Sequence, residues 1–325
     1  MRQLLDAETH RAHKTRNQLH STLLLGGLAV LLAVPTFLIL GLGGLLVTVI
    51  AIAAVMLLAP RLPPHVIMRM YGARRIDATY GGDLANLTRI LSERAELKQQ
   101  PKLYLIPSPT LNAFATGTQD DAAIGLTSGL VRRLTLRELA GVIAHEVSHI
   151  RNNDLWVMGL ADVISRMTLS LSYLAVTLAI LNVFYLVTSG VTAVSWIAII
   201  ILYFAPLLSS LMQLGLSRAR EYDADLEGAM LTGDPAALAS ALQKLDNIMG
   251  RAWEDLMMPV PGRRMPQPSV LRTHPKVEDR IARLRELDPR RSMPQISVRE
   301  IPVVTLIAPG PMGLRPRYRF PGVWY

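Results

Sequence analysis

His145 and His149 stand four residues apart, with Glu146 beside the first, in the run Ala144-His145-Glu146-Val147-Ser148-His149. On an α-helix this spacing projects both imidazoles from one face, where they can hold a single Zn²⁺ with the glutamate beside it as a base. The chemistry that follows is hydrolysis. A solvated polar helix face is the competing account, and a third ligand separates the two, because catalytic zinc takes three protein ligands and keeps one position open. The chain has no cysteine, so that ligand must be a histidine or a carboxylate.

Such a carboxylate stands in the run Ser217-Arg218-Ala219-Arg220-Glu221-Tyr222-Asp223-Ala224-Asp225. Glu221 and Asp225 are again four apart, so Glu221 can reach a metal while Asp225 accepts a hydrogen bond from the far nitrogen of a ligating histidine. On a plain surface helix this like-charge pair would be mildly destabilising, which weighs against a purely solvated face.

The elements that must position these residues are legible around them. Thr135-Leu136-Arg137-Glu138 fits a capping box, and Leu139, Val142, Ile143 and Ile150 recur at helical spacing, so a helix starting near Thr135 carries the histidines. Before it the pattern predicts a helix over residues 82–97, strands over 102–106, 112–116 and 123–126, a turn at Asp120-Asp121, and a short turn or helix over 128–134. Residues 21–60 contain no charge, and as one helix they would be about 60 Å long, twice the hydrocarbon thickness. They therefore predict two spans, 22–40 and 45–59, broken at Gly41-Leu42-Gly43-Gly44. A cleaved signal peptide would have a far shorter apolar core. Residues 167–217 are likewise uncharged and predict spans over 167–186 and 191–211, broken at Thr188-Ser189-Gly190. Arginines flank the inner ends of both pairs, at Arg16, Arg61, Arg69, Arg166 and Arg218, and none lies in either turn, so both termini and the polar segments are expected in the cytoplasm.

The net charge of +9 and 50% hydrophobic composition fit this arrangement. The basic residues scatter and flank apolar runs, which excludes nucleic acid as an expected partner and leaves the lipid bilayer as one. The expected order is a basic N-terminus (1–20), a transmembrane hairpin (21–60), a first catalytic part with the motif helix (61–154), a second hairpin (155–217), a second catalytic part with the third ligand (218–290) and a basic, proline-rich tail (291–325) in which residues 301–306 can add a strand. The expected fold class is an α-rich membrane protein, four transmembrane helices in two hairpins plus a cytoplasmic α+β catalytic domain with a small sheet.

Taken together, two spans, a polar domain with His-Glu-Val-Ser-His, two more spans and Arg-Glu-Tyr-Asp-Ala-Asp, the chain resembles the HtpX-type membrane zinc endopeptidases, relatives of the CAAX prenyl endopeptidases. The resemblance covers all but the tail and implies a zincin-like catalytic domain with His145, His149 and Glu221 as zinc ligands, Glu146 as general base and Asp225 as a supporting residue. It also draws in Asn112, Ala113, Phe114 and Ala115 as an edge strand that binds substrate, His274 as a donor to the developing oxyanion, and Arg280, which either positions that oxyanion or pairs with Glu278 or Asp279. One Zn²⁺ per chain, polypeptide substrates among membrane or misfolded proteins, and a plasma-membrane location are what it implies for function. Three alternatives stay open at this level: a CAAX-type prenyl-protein endopeptidase, for which four spans are few; an intramembrane site-cleaving protease, which would place the motif inside an apolar span and not among Arg137, Glu138, Arg151 and Asp154; and a non-enzymatic membrane scaffold with a structural zinc, which needs a fourth ligand.

Overall fold

The computed structural model describes residues 2–58, 63–77, 81–256, 277–287, 296, 318–319 and 323–324. The chain divides into two compact units, Met1–Pro60 with Trp156–Ala219 and Arg61–Leu155 with Arg220–Tyr325.

In the first unit, helix α1 (Arg2–Leu58) is interrupted at Gly41, whose φ of 61° and ψ of −146° lie where only glycine is unstrained. Thr36 Oγ1 and Thr48 Oγ1 are 2.7 Å apart. Twelve residues of straight helix would separate them by about 18 Å, so the chain doubles back at Gly41 into two antiparallel arms, at the break the sequence predicts. The other two long apolar helices lie further along the chain, α6 (Asp154–Ser189) and α7 (Trp196–Thr232). Among the described residues three helices are thus long and apolar enough to cross a membrane, the first of them folded on itself. Buried Asn182 closes the turn after α6: its Nδ2 donates to Val194 O (2.7 Å) and its Oδ1 accepts from Val194 N (2.9 Å). Ser165 and Ser209 join α6 to α7 through a 2.8 Å hydroxyl pair. Apolar side chains such as Tyr173, Ile180, Phe184 and Leu207 stay exposed, as a bilayer-facing surface requires.

Both helices run past the predicted spans. α6 begins at Asp154, directly after the motif helix, and the next two charges along it pair with each other, Arg166 Nε lying 2.9 Å from Asp162 Oδ2. α7 starts at Trp196 and continues to Thr232, because the polar residues after Ser217 change the surroundings of the helix without breaking it.

The second unit is built on a four-stranded sheet in the order β1-β2-β4-β3, with β1 (Arg74–Ile76) and β3 (Ala113–Gly117) at its edges and β2 (Lys102–Ile106) and β4 (Ala122–Thr127) inside. β2 and β4 are parallel and the other pairings antiparallel. β1 and the short helix α2 (Pro64–Met70) were not predicted; three residues, two of them arginine, carry no readable periodicity. Helix α3 (Gly82–Arg94) and the one-turn α4 (Ser128–Arg133) precede the motif helix α5 (Leu136–Arg151). Leu139, Ile143 and Val147 of α5 enter one core with Leu91 of α3 and Ile124 and Leu126 of β4.

The capping box is present: Thr135 Oγ1 accepts from Glu138 N, and Glu138 Oε2 accepts from Thr135 N at 2.9 Å. The same buried carboxylate takes hydrogen bonds from Ser240 and Lys244 on α8 (Pro235–Leu256), fixing the start of α5 against a second helix. Arg137 and Asp234 pair alongside at 2.5 Å. Helix α9 (Val277–Glu286) packs on α8 through Ile281 and Leu284. Two short strands, β5 (Tyr318–Arg319) and β6 (Val323–Trp324), pair antiparallel. The strand expected at 301–306 and most of the tail fall outside the described residues.

Candidate metal centre

Helix α5 holds His145 and His149 on one face, their rings perpendicular at 89° with centroids 4.7 Å apart. Their Nε2 atoms are 3.2 Å from each other. Glu221, on the part of α7 within the second unit, brings Oε2 to 3.6 Å from His145 Nε2 and Oε1 to 3.9 Å from His149 Nε2. A tetrahedral zinc with bonds of 2.0–2.1 Å has ligand-to-ligand edges of about 3.3 Å, so three nitrogen and oxygen donors at these separations fit the ion. No other group of three such side chains converges in this way among the described residues.

Close approach of the two helices makes this possible. A Cβ on Gly228 of α7 would lie 3.0 Å from His145 N and 3.2 Å from His145 Cα, so a larger residue here would have to push the two helices apart, and glycine lets α7 cross the motif helix this closely. One turn further along α5, buried Glu227 accepts hydrogen bonds from Ser148 Oγ (2.5 Å), Asn152 Nδ2 (2.5 Å) and Arg151 Nη1 (2.6 Å), which locks the register of one helix on the other.

Each histidine has a carboxylate at its far nitrogen. His149 Nδ1 lies 2.9 Å from Asp154 Oδ2, and since a carboxylate can only accept, Nδ1 carries the proton and Nε2 is left for the centre. His145 Nδ1 is 3.1 Å from Asp225 Oδ1, close but off the line of a hydrogen bond. Arg280 grips Asp225 with both arms, Nε to Oδ2 and Nη2 to Oδ1 at 2.6 Å each, and reaches Glu221 Oε2 with Nη1 at 3.1 Å. Its partners are therefore the two acids of α7 rather than Glu278 or Asp279 on its own helix. Burial would lower the Arg280 pKa, but the hydrogen bond to Asp225 and the charges of Asp225, Glu221 and Glu146 raise it.

The same crowding of acids acts on His149. Burial alone would favour the neutral ring, yet the hydrogen bond to Asp154 and the charges of Glu146, Asp154 and Glu221 push its pKa up to about 9. Glu146 is buried on α5 beside these groups, next in the chain to His145.

Residues 81–288 match the model of Peptidase family M48. The chain belongs to this family. Protease HtpX homolog from Acaryochloris marina is 36% identical over 282 residues, covering 84% of this chain and 95% of that protein. Protease HtpX homolog from Methylibium petroleiphilum is 34% identical over 238 residues, 69% of this chain and 81% of the relative. Among solved structures, the crystal structure of S. mikatae Ste24p aligns with a TM-score of 0.42 at 20% identity, over 83% of this chain and 65% of that one. This M48 protein is accordingly an HtpX-type metallopeptidase with a membrane-embedded part.

Of the residues that sequence reasoning picked for the M48 site, His145, His149, Glu146, Glu221, Asp225 and Arg280 lie together. Ala113, Phe114 and Ala115 form the edge strand β3, and Asn112 stands just before it, its backbone N donating to Thr127 Oγ1. His274 falls outside the described residues. Three residues were missed: Asp154, Arg220, whose Nη1 donates to Asp154 Oδ1 at 2.6 Å, and Glu227. Asp154 carries a faint signal, since an acid just past the end of a ligand-bearing helix can fold back on it. Arg220 and Glu227 carry none, because their partners lie 66 and 75 to 79 residues away in sequence.

Proposed function

We propose that this M48 peptidase is a zinc-dependent endopeptidase of the plasma membrane, crossing it four times and cleaving membrane or misfolded proteins at the cytoplasmic face. The observation that carries the reading is the convergence of His145, His149 and Glu221 with Glu146 beside them. Bound zinc would supply a Lewis acid for the scissile carbonyl and acidify the attacking water. Glu146 takes the proton of that water on a carboxylate oxygen and passes it to the leaving amine. Asp225 stands at the far nitrogen of His145, and Arg280 acts through Asp225 and Glu221, neutralising acids that would otherwise repel each other. His274 is assigned to the developing oxyanion on the sequence alone.

The edge position of β3 supports substrate binding there. Among the described residues β3 pairs on one side only, with β4, so an extended polypeptide can add to the other side through its own backbone, which reads a peptide without demanding its sequence. Four spans and cytoplasmic termini are supported by the doubling back at Gly41 and by the arginine flanks.

The test is metal analysis of the detergent-purified protein together with casein or self-cleavage assays before and after a chelator. Stoichiometric zinc and chelator-sensitive cleavage are expected; cleavage that survives removal of all metal would overturn the reading.

A further inference from the structure

Asp154 is the least exposed acid among the described residues, at 2%. Asn152 and Asn153, the latter at φ 56°, turn the chain at the end of α5 so that Asp154, the first residue of α6, faces back onto the last turn of the motif helix. One oxygen meets His149 Nδ1 at 2.9 Å and the other accepts from Arg220 Nη1 at 2.6 Å. Neither group could stay charged there alone, because a buried charge without a partner is strongly destabilising.

We propose that Asp154 is a positioning residue for the metal centre: it accepts the Nδ1 proton of His149 and so aims the Nε2 lone pair at the ion, while Arg220 fixes Asp154. A second run in the site, His145 to Asp225 to Arg280, has the same order of residue types, but its histidine stands at 3.1 Å off the hydrogen-bond line, so His149 to Asp154 to Arg220 is the hydrogen-bonded one. Arg220 adjoins Glu221, so a single turn of α7 delivers both a ligand and the support of another ligand. Loss of register in that turn disturbs two of the three donors together. The inference rests on the zinc reading for its consequence and on geometry for the contact itself.

The experiment uses full-length protein in detergent, with zinc affinity measured by chelator competition and the His149 ring followed by NMR of ¹⁵N-histidine-labelled protein. Asp154→Ala should weaken zinc binding roughly 10–100-fold, and Asp154→Asn, which keeps an acceptor oxygen, should recover much of that loss. Because Asp154→Ala strands Arg220, the double variant Asp154→Ala/Arg220→Met removes both buried charges and should still show the weakened affinity. In metal-stripped protein the parent should show a downfield Nδ1–H resonance from His149 that both alanine variants lack. Zinc affinity in the double variant equal to that of the parent, or a resonance that persists without Asp154, overturns the proposal. A parent that binds no zinc would instead sink the proposed function, and the resonance would still decide the Asp154 contact.

Discussion

Replacing Glu146 by glutamine keeps the shape of the side chain and removes its basicity. Zinc content should match the parent while cleavage slows by roughly 10²–10⁴-fold, the usual worth of a positioned base. Loss of zinc, as expected for His145→Ala, would assign Glu146 to coordination instead. His149 gives a second prediction at this scale. With a pKa of about 9 in the metal-free site, its ring is protonated at neutral pH, so metal uptake must displace that proton. Calorimetry in buffers of different ionisation enthalpy should report about one proton released per zinc from this residue, with affinity rising as pH approaches 9. The raised pKa also sets a stability trend for metal-stripped protein: the contribution of His149 is complete below its unfolded value of about 6.5 and disappears as pH rises through about 9. Thermal melts of the stripped protein should lose this contribution over that window, and a flat profile would contradict the assigned environment.

At the scale of elements, the pairing of α5 with α7 rests on Gly228. Alanine there gains up to about 1 kcal/mol of helix propensity, but its Cβ meets the backbone of His145, which cannot rotate away, and overpacking of this kind costs about 1–3 kcal/mol. Gly228→Ala should therefore lower zinc affinity even where the melting temperature barely moves; unchanged affinity would show that the helices have room to spare. The start of α5 was legible because Thr135 and Glu138 satisfy each other locally, and β2 because its apolar run is closed by Pro107. Long-range partners were not. For Arg280 the sequence offered Glu278 and Asp279 as partners because they are adjacent, whereas Asp225 lies 55 residues earlier; where α7 ends was not legible, because polarity marks where a helix leaves an apolar environment, not where it stops.

For the whole molecule, chain order sets further expectations. The helix that carries Glu221 begins at Trp196, so replacing residues 167–211 with a flexible linker cuts that helix short and leaves the contacts of Glu227 and Arg220 as its ties to the motif helix and Asp154. Ligands must be held to about half an ångström, and a flexible tether does not hold them. The shortened protein should bind zinc weakly and not cleave; full activity would reduce the membrane helices to an anchor. Because the chain lacks cysteine, single cysteines can map its sidedness, with labelling from outside expected near Gly43 and Ser189 and none at Gln119 or Gln267. The division of the site between Leu136–Arg151 and the residues from Arg220 to Arg280 has one more consequence, for biosynthesis. While the nascent chain ends before Glu221, its two histidines have no third donor, and until Arg280 is made the two acids of α7 lack their shared counter-charge. At roughly 5–20 residues per second, that interval lasts on the order of ten seconds. Ribosome-bound chains stalled before Glu221 should therefore fail to retain zinc.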